Sequence, residues 1–222
     1  PDADKFVEGI AAKLDGVWIL EFPYTLNTLE TLQFDQFYHE HYYYWLIKPL
    51  KKLLSKFGLN IFHCEEVSIH GGSMRCWITN KDQYGTTQAD EKFIKKEESF
   101  DYNRFMSLVW SKIIKDQAFI SKLDGSIALF GAAAKGCVYL NALNSWKLSN
   151  TYCVDDTLQK QGKYIPGTEI EVRPRDYLLR DKPDNIIIMA HNFAPSIAYS
   201  LINDGYKGRL ITMLPEIQID RA

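Results

Sequence analysis

Cysteine is scarce, charge is nearly balanced and long apolar runs are missing, and each shortage excludes something. The four cysteines, Cys64, Cys76, Cys137 and Cys153, show no C-x-x-C spacing and lie inside apolar segments, so no disulfide and no metal site is expected. A formal net charge of −2 from 26 basic and 28 acidic residues offers no field to gather nucleic acid or an anionic membrane surface. No run approaches the ~20 apolar residues that span a bilayer, and Pro1-Asp2-Ala3-Asp4 opens an amphipathic helix rather than a signal peptide. A cytoplasmic protein with a small partner is expected. Internal repeats and low-complexity tracts are absent as well. What is present is a chain of 222 residues, 46% hydrophobic and 14% aromatic, enough to bury one large core or two small ones.

Phe6, Val7, Ile10 and Leu14 recur at helical spacing, Asp15-Gly16 ends that helix, and Val17 to Phe22 reads as a strand. A helix over 46–57 closed by Gly58 precedes two β-rich runs, 59–67 and 74–79, that flank His70-Gly71-Gly72 and predict a hairpin. Residues 80–101 carry many charges and few large apolar groups, whereas 102–123 show a helical stripe through Phe105, Leu108, Val109, Ile113 and Phe119. The domain boundary is placed between residues 80 and 101, giving segments 1–80, 81–125 (charged linker and long helix) and 126–222. From Ser126 onward strands and helices alternate, with strands at 126–129, 151–154, 169–172, 185–190 and 209–213. That order implies an α/β domain of Rossmann-like type, its parallel sheet covered on both faces and its ligand at the carboxyl ends of the strands.

At the first of these strand ends the chain reads Phe130-Gly131-Ala132-Ala133-Ala134-Lys135-Gly136. A strand turning through small residues into a helix leaves the first helical N–H groups unpaired at the positive end of the dipole, a seat for phosphate. Lys135 adds a cation there, and Gly131, Ala132 and Ala133 let a ligand approach the backbone. The spacing is neither the dinucleotide fingerprint nor a P-loop, and a tight turn needed only for packing is the alternative. Asp155 follows the next strand at about the 20-residue distance where nucleotide-binding folds keep an acid for ribose hydroxyls. Lys160, in the basic loop 160–168, and His191-Asn192, at a later strand end, converge on the same place. His70 lies in the hairpin turn, whose glycines are explained by backbone geometry while the histidine is not.

Tyr38-His39-Glu40-His41, followed by three more tyrosines, is the densest cluster of groups able to move protons. If extended, Tyr38 and Glu40 face one way and the two histidines the other; in a turn, Glu40 can reach an imidazole and raise its basicity. A base poised near neutrality suits abstraction of a proton α to a carbonyl. An aromatic loop with surface histidines is the alternative, and zinc ligation lacks the spacing of a structural site.

Together, Glu21-Phe22-Pro23-Tyr24, Tyr38 to His41, His70 to Arg75, Gly131 to Gly136, Lys160 to Thr168 and Pro215-Glu216-Ile217 resemble, in this order, the sugar C-methyltransferases that act on nucleotide-linked 4-keto-deoxysugars. The resemblance implies S-adenosylmethionine as methyl donor, and the closing half of a class I methyltransferase sheet with a β-hairpin ahead of the Rossmann-like domain. It also implies that a base removes the C3 proton of the sugar. His41 is expected as that base, with Glu40 orienting it, Tyr38 near the enolate oxygen and His39 as the second imidazole. Gly131, Ala132, Ala133, Lys135, Asp155, Lys160, His191, Asn192 and His70 are expected around the sugar nucleotide. The donor-binding opening half is not recognisable before residue 17. The chain is therefore expected to be a segment, inactive alone, whose sheet edge is covered by a partner or a missing N-terminal domain. The rivals are a nicotinamide-dependent oxidoreductase and a non-catalytic sugar-nucleotide-binding module.

Overall fold

The computed structural model describes residues 2–81, 84, 89–144, 148 and 150–221, with the side chains of His70, Ala89 and Arg221 outside that description. The chain divides into two compact units: Pro1–Thr31 with His39–Phe105, and Leu32–Tyr38 with Met106–Ala222. Among the described residues no helix is long and apolar enough to cross a membrane.

The first unit contains α1 (Ala3–Ala11), β1 (Val17–Pro23), α2 (Thr25–Glu30), α3 (Ile47–Ser55), β2 (Asn60–Val67), β3 (Ser73–Thr79) and α4 (Ala89–Ser99). The helix begins where the sequence places a cap, for the Asp2 carboxylate accepts the Lys5 N–H at 3.1 Å. The expected hairpin forms between β2 and β3, and β3 inserts between β1 and β2, antiparallel to both. Leu20 and Cys64 are therefore both register partners of Cys76, and β1 forms an edge of the sheet. Side chains of β1 alternate, Trp18, Leu20 and Phe22 turning inward while Val17 and Ile19 are exposed. The core beneath gathers Tyr24, Leu26, Ile47, Leu54, Met74 and Ile78.

Charged residues 80–101 yield α4, whose buried face holds Asp90, Phe93 and Glu97. Leu46 precedes α3 and offers no side-chain acceptor to its first turn. The Glu97 carboxylate takes that place, accepting the N–H groups of Ile47 at 2.6 Å and Lys48 at 3.1 Å and the Tyr24 hydroxyl at 2.9 Å. A buried carboxylate is tolerable here because three donors and the positive end of a helix face it. Lys51 of α3 pairs with Asp90 of α4 and ties the same two helices.

Helix α5 (Tyr102–Ser121) starts in the first unit and continues in the second. There follow β4 (Ile127–Phe130), α6 (Ala134–Leu143), β5 (Cys153–Val154), β6 (Val172–Arg173), α7 (Arg175–Asp181), β7 (Asn185–Ile188), α8 (Ala194–Asn203), β8 (Arg209–Thr212) and β9 (Gln218–Arg221). The sheet order is β6-β5-β4-β7-β8-β9; the first five strands are parallel, as the sequence pattern requires, and β9 is antiparallel to β8. Strand β7 is buried along its whole length, the mark of a central parallel strand. Its one polar residue, Asn185, donates its side-chain amide to the carbonyls of Asp124 and Ser126 at 2.8 and 3.1 Å, while its buried Oδ1 is left without a partner among the described residues. The strand expected at 169–172 appears as Val172–Arg173, and on its other edge Val172 exchanges hydrogen bonds with the loop at Gly162 and Lys163. The winding direction reverses between β4 and β7, the point where open α/β sheets leave a crevice at their carboxyl ends.

Glu97→Ala is expected to destabilise the protein by about 2–4 kcal/mol, since it removes a cap and leaves the Tyr24 hydroxyl and two helix N–H groups buried without an acceptor. Urea denaturation of the two proteins measures this, and equal midpoints would contradict the capping role.

Candidate functional site

The turn after β4 is shaped by contact with the turn after β7. Gly131 sits at φ 96°, and a Cβ there would lie 3.0 Å from the Ala190 Cβ and 3.3 Å from its nitrogen. Gly136 is under the same pressure, since a Cβ on it would lie 2.9 Å from the Met189 Cβ. Glycine is therefore required by close approach as much as by dihedral angle. No side chain caps α6, because Ala133 holds the cap position. Its opening N–H groups therefore have no capping side-chain acceptor.

Asp155, at the end of β5, reaches this turn. Its carboxylate accepts the N–H groups of Ala132 and Thr157, each at 2.8 Å, and the Lys160 ammonium at 3.1 Å. Burial pushes this carboxyl up, but the Thr157 N–H and Lys160 outweigh burial and hold it below the ordinary carboxylate range. The structure thus brings Gly131, Ala132, Ala133, Lys135, Asp155 and Lys160 together, with the Ala132 N–H directed at Asp155 and the start of α6 left without a side-chain cap. Neighbouring Asp156 is engaged by Arg175 at 2.6 to 3.0 Å.

Deeper in the same unit lies a cluster that sequence reasoning missed in part. His191, which opens a 3-10 turn after β7, sets its ring edge-on to Tyr139 of α6 at 5.8 Å between centroids. The Tyr139 hydroxyl donates to Asp116 of α5 at 2.7 Å, and Lys112 donates to Asp116 at 3.0 and 3.1 Å and to the Met213 carbonyl at 3.0 Å. Phe34 stacks on Tyr139 at 5.7 Å, and Asp35 brings Oδ2 to 3.9 Å from His191 Nε2. Burial, then the charges of Lys135 and Lys112, depress the His191 imidazole to about 4. Burial also raises the Asp35 carboxyl to about 6 against the pull of Lys135, and lowers the Lys135 ammonium. One signal for this cluster was legible: Asp116 occupies a buried position on the stripe formed by Val109, Ile113 and Ile120, where an aliphatic side chain is the rule.

Tyr38 to Glu40 form a bend and turn rather than a strand. Tyr38 groups with the second unit and His39, Glu40 and His41 with the first. His39 and Glu40 are exposed, and half-buried His41 sets its ring edge-on to Tyr44 at 6.3 Å. Asn192 is exposed beside His191. His70 lies in the turn Ile69–Gly71, and its side chain is outside the described residues. The first unit also carries an apolar cavity of about 460 Å³, open to solvent on one side and lined by Phe6, Trp18, Leu20, Phe22, Tyr43 and Trp45.

The titrations of His191 and Asp35 oppose each other. Folded His191 binds its proton near pH 4 and unfolded histidine near 6.5, so its contribution to stability falls as pH drops through that window. Folded Asp35 holds a proton up to about pH 6 against 3.8 when unfolded, so its contribution grows as pH drops through 6. Removing one exposes the other. Between pH 7 and pH 5 the His191→Gln protein is expected to gain about 1–2 kcal/mol over the unsubstituted protein. Urea denaturation at the two pH values checks this, and parallel pH dependence would contradict a buried neutral imidazole.

Residues 68–215 match the family model of the C-methyltransferase C-terminal domain, a span from the β2–β3 turn to the loop after β8 that contains the whole β4–β7 site. The chain is 28% identical over 237 residues to the C-methyltransferase NovU of Streptomyces niveus, an alignment that covers 100% of this chain and 56% of that protein. It therefore spans about half the length of the curated relative it matches. The fold expected from sequence, the β4–β7 crevice and the family match converge: this chain belongs to the C-methyltransferase C-terminal domain family.

Proposed function

We propose that the chain supplies the sugar-nucleotide site and the general base of a C-methyltransferase that alkylates C3 of a nucleotide-linked 4-keto-deoxysugar. The observation that carries this reading is the uncapped start of α6, with Lys135 beside it, at the switch point between β4 and β7. Outward N–H groups at the positive end of a helix, with a lysine, suit a diphosphate. Asp155 and Lys160 hold the turn before α6, and exposed Asn192, beside His191, is the candidate to meet the ligand from the β7 side.

The chemistry begins at the sugar. A ketone at C4 acidifies the proton at C3, and His41 removes it; the electron pair of the broken C–H bond moves into an enolate whose oxygen lies near Tyr38. Glu40 orients the imidazole, and His39 is the second candidate. S-adenosylmethionine is the methyl donor implied by the family. The first unit does not fit it: among the described residues, none of its three strands ends in a glycine-rich turn opening a helix, and β1 runs through Pro23 and Tyr24 straight into α2. No residue here is assigned to the donor. The β1 edge, with Val17 and Ile19 exposed, is the kind of apolar edge that is covered in a working protein, by a partner or by further sheet of the same enzyme.

Calorimetry separates the readings. A dTDP-sugar is expected to bind this chain, while S-adenosylmethionine and NADH give no binding heat; micromolar affinity for either would contradict the assignment. Lys135→Ala should weaken the dTDP-sugar by about 1–3 kcal/mol with thermal stability unchanged, and loss of stability with affinity retained would make the turn purely structural. In an enzyme competent for turnover, His41→Ala should slow solvent exchange of the C3 proton, followed by NMR, at least ~10²-fold. Exchange at the original rate would move the role to His39 or Tyr38.

A further inference from the structure

At the carboxyl ends of β4 and β7 charged or titratable side chains from four elements come together. Asp35 comes from the turn Phe34–Gln36, Lys135 and Tyr139 from α6, Lys112 and Asp116 from α5, and His191 from the turn after β7. Lys112, Asp116 and Tyr139 satisfy each other within 3.1 Å. Asp35 and His191 do not. Their facing atoms are 3.9 Å apart, beyond hydrogen-bond reach, with side chains only 3% and 6% exposed. Asp35 Oδ1 and both ring nitrogens of His191 lack a hydrogen-bond partner. Three such atoms at this depth call for a state in which they are satisfied.

A proton supplies that state. Added to the imidazole it makes both ring nitrogens donors, and the 3.9 Å couple shortens to a charge-assisted bond with the Asp35 carboxylate. Burial and the nearby ammonium groups of Lys135 and Lys112 oppose this protonation. An anion seated on Lys135 removes part of that opposition.

We infer that Asp35 and His191 are a proton-linked positioning pair: when the diphosphate of a nucleotide-linked sugar occupies the seat at Lys135, the pair takes one proton from solvent and closes. The inference rests on the anion reading of Lys135 given above. Closure also acts on the chain. Asp35 and Phe34, which stacks on Tyr139, belong to the segment Leu32–Tyr38, so the segment that ends in Tyr38 is drawn onto α6. Leu32 enters this segment at φ 53°, a left-handed backbone that is strained for a leucine and persists only where surrounding contacts hold it.

The test is an NMR titration of the His191 ring nitrogens in three samples: the protein alone, the protein saturated with dTDP-glucose, and Lys135→Met. The diphosphate of dTDP-glucose is a diester without a titration between pH 5 and 8, so any proton taken up belongs to the protein. The His191 midpoint is expected to rise by about one pH unit or more in both the liganded and the Lys135→Met samples, and Asp35→Asn should suppress most of the rise. Calorimetry of dTDP-glucose at pH 5 in two buffers of different ionisation enthalpy should report uptake of about 0.4 proton or more. An unchanged midpoint in Lys135→Met, or zero uptake on binding, overturns the inference. Should dTDP-glucose fail to bind while Lys135→Met still raises the midpoint, the sugar-nucleotide reading and the ligand named here are overturned, and the coupling to Lys135 stands.

Discussion

The second unit depends on the close approach of the turns that follow β4 and β7. Gly131 and Gly136 leave no room for a Cβ against Ala190 and Met189, and this contact fixes where α6 begins and where His191 emerges. With the turns in contact, Asp155 can reach across from β5 to the Ala132 N–H, and Tyr139 can lie against the His191 ring. A wider turn would release both contacts. The crevice of an open α/β sheet is usually described by strand order; here the same crevice is set by the absence of two methyl groups.

The first unit solves a different problem, the placement of buried carboxylates. Glu97 lies in a helix with few large apolar residues, yet it anchors the fold by serving as the missing cap of α3 and the acceptor for Tyr24. In both units a carboxylate buried in one element satisfies backbone N–H groups of another: Glu97 for α3, Asp155 for the turn before α6. Each converts an otherwise costly buried charge into a constraint on geometry.

The parallel sheet was legible because its strands are short apolar runs separated by helices and turn residues, and Gly131 to Gly136 marked the turn from β4 into α6. The hairpin was legible from His70-Gly71-Gly72 between two β-rich runs. Helix α4 was not, since its buried face is built from Asp90, Phe93 and Glu97, which carry no apolar period. The grouping of Leu32–Tyr38 with the second unit was equally hidden. It depends on Phe34 stacking on Tyr139 and Asp35 facing His191, contacts between residues far apart in sequence that no local pattern encodes. Asp155 illustrates a subtler gap: its position at the β5 end followed from spacing, but its engagement with the Ala132 N–H required the folded turn.

The central claim is that a nucleotide-linked sugar binds where α6 begins. Backbone amide shifts recorded by NMR on addition of dTDP-glucose test it most directly. The account predicts the largest changes at Ala134, Lys135 and Gly136, with smaller ones at His191 and Asn192. Changes confined to the residues lining the apolar cavity of the first unit, or no changes at all, would contradict it.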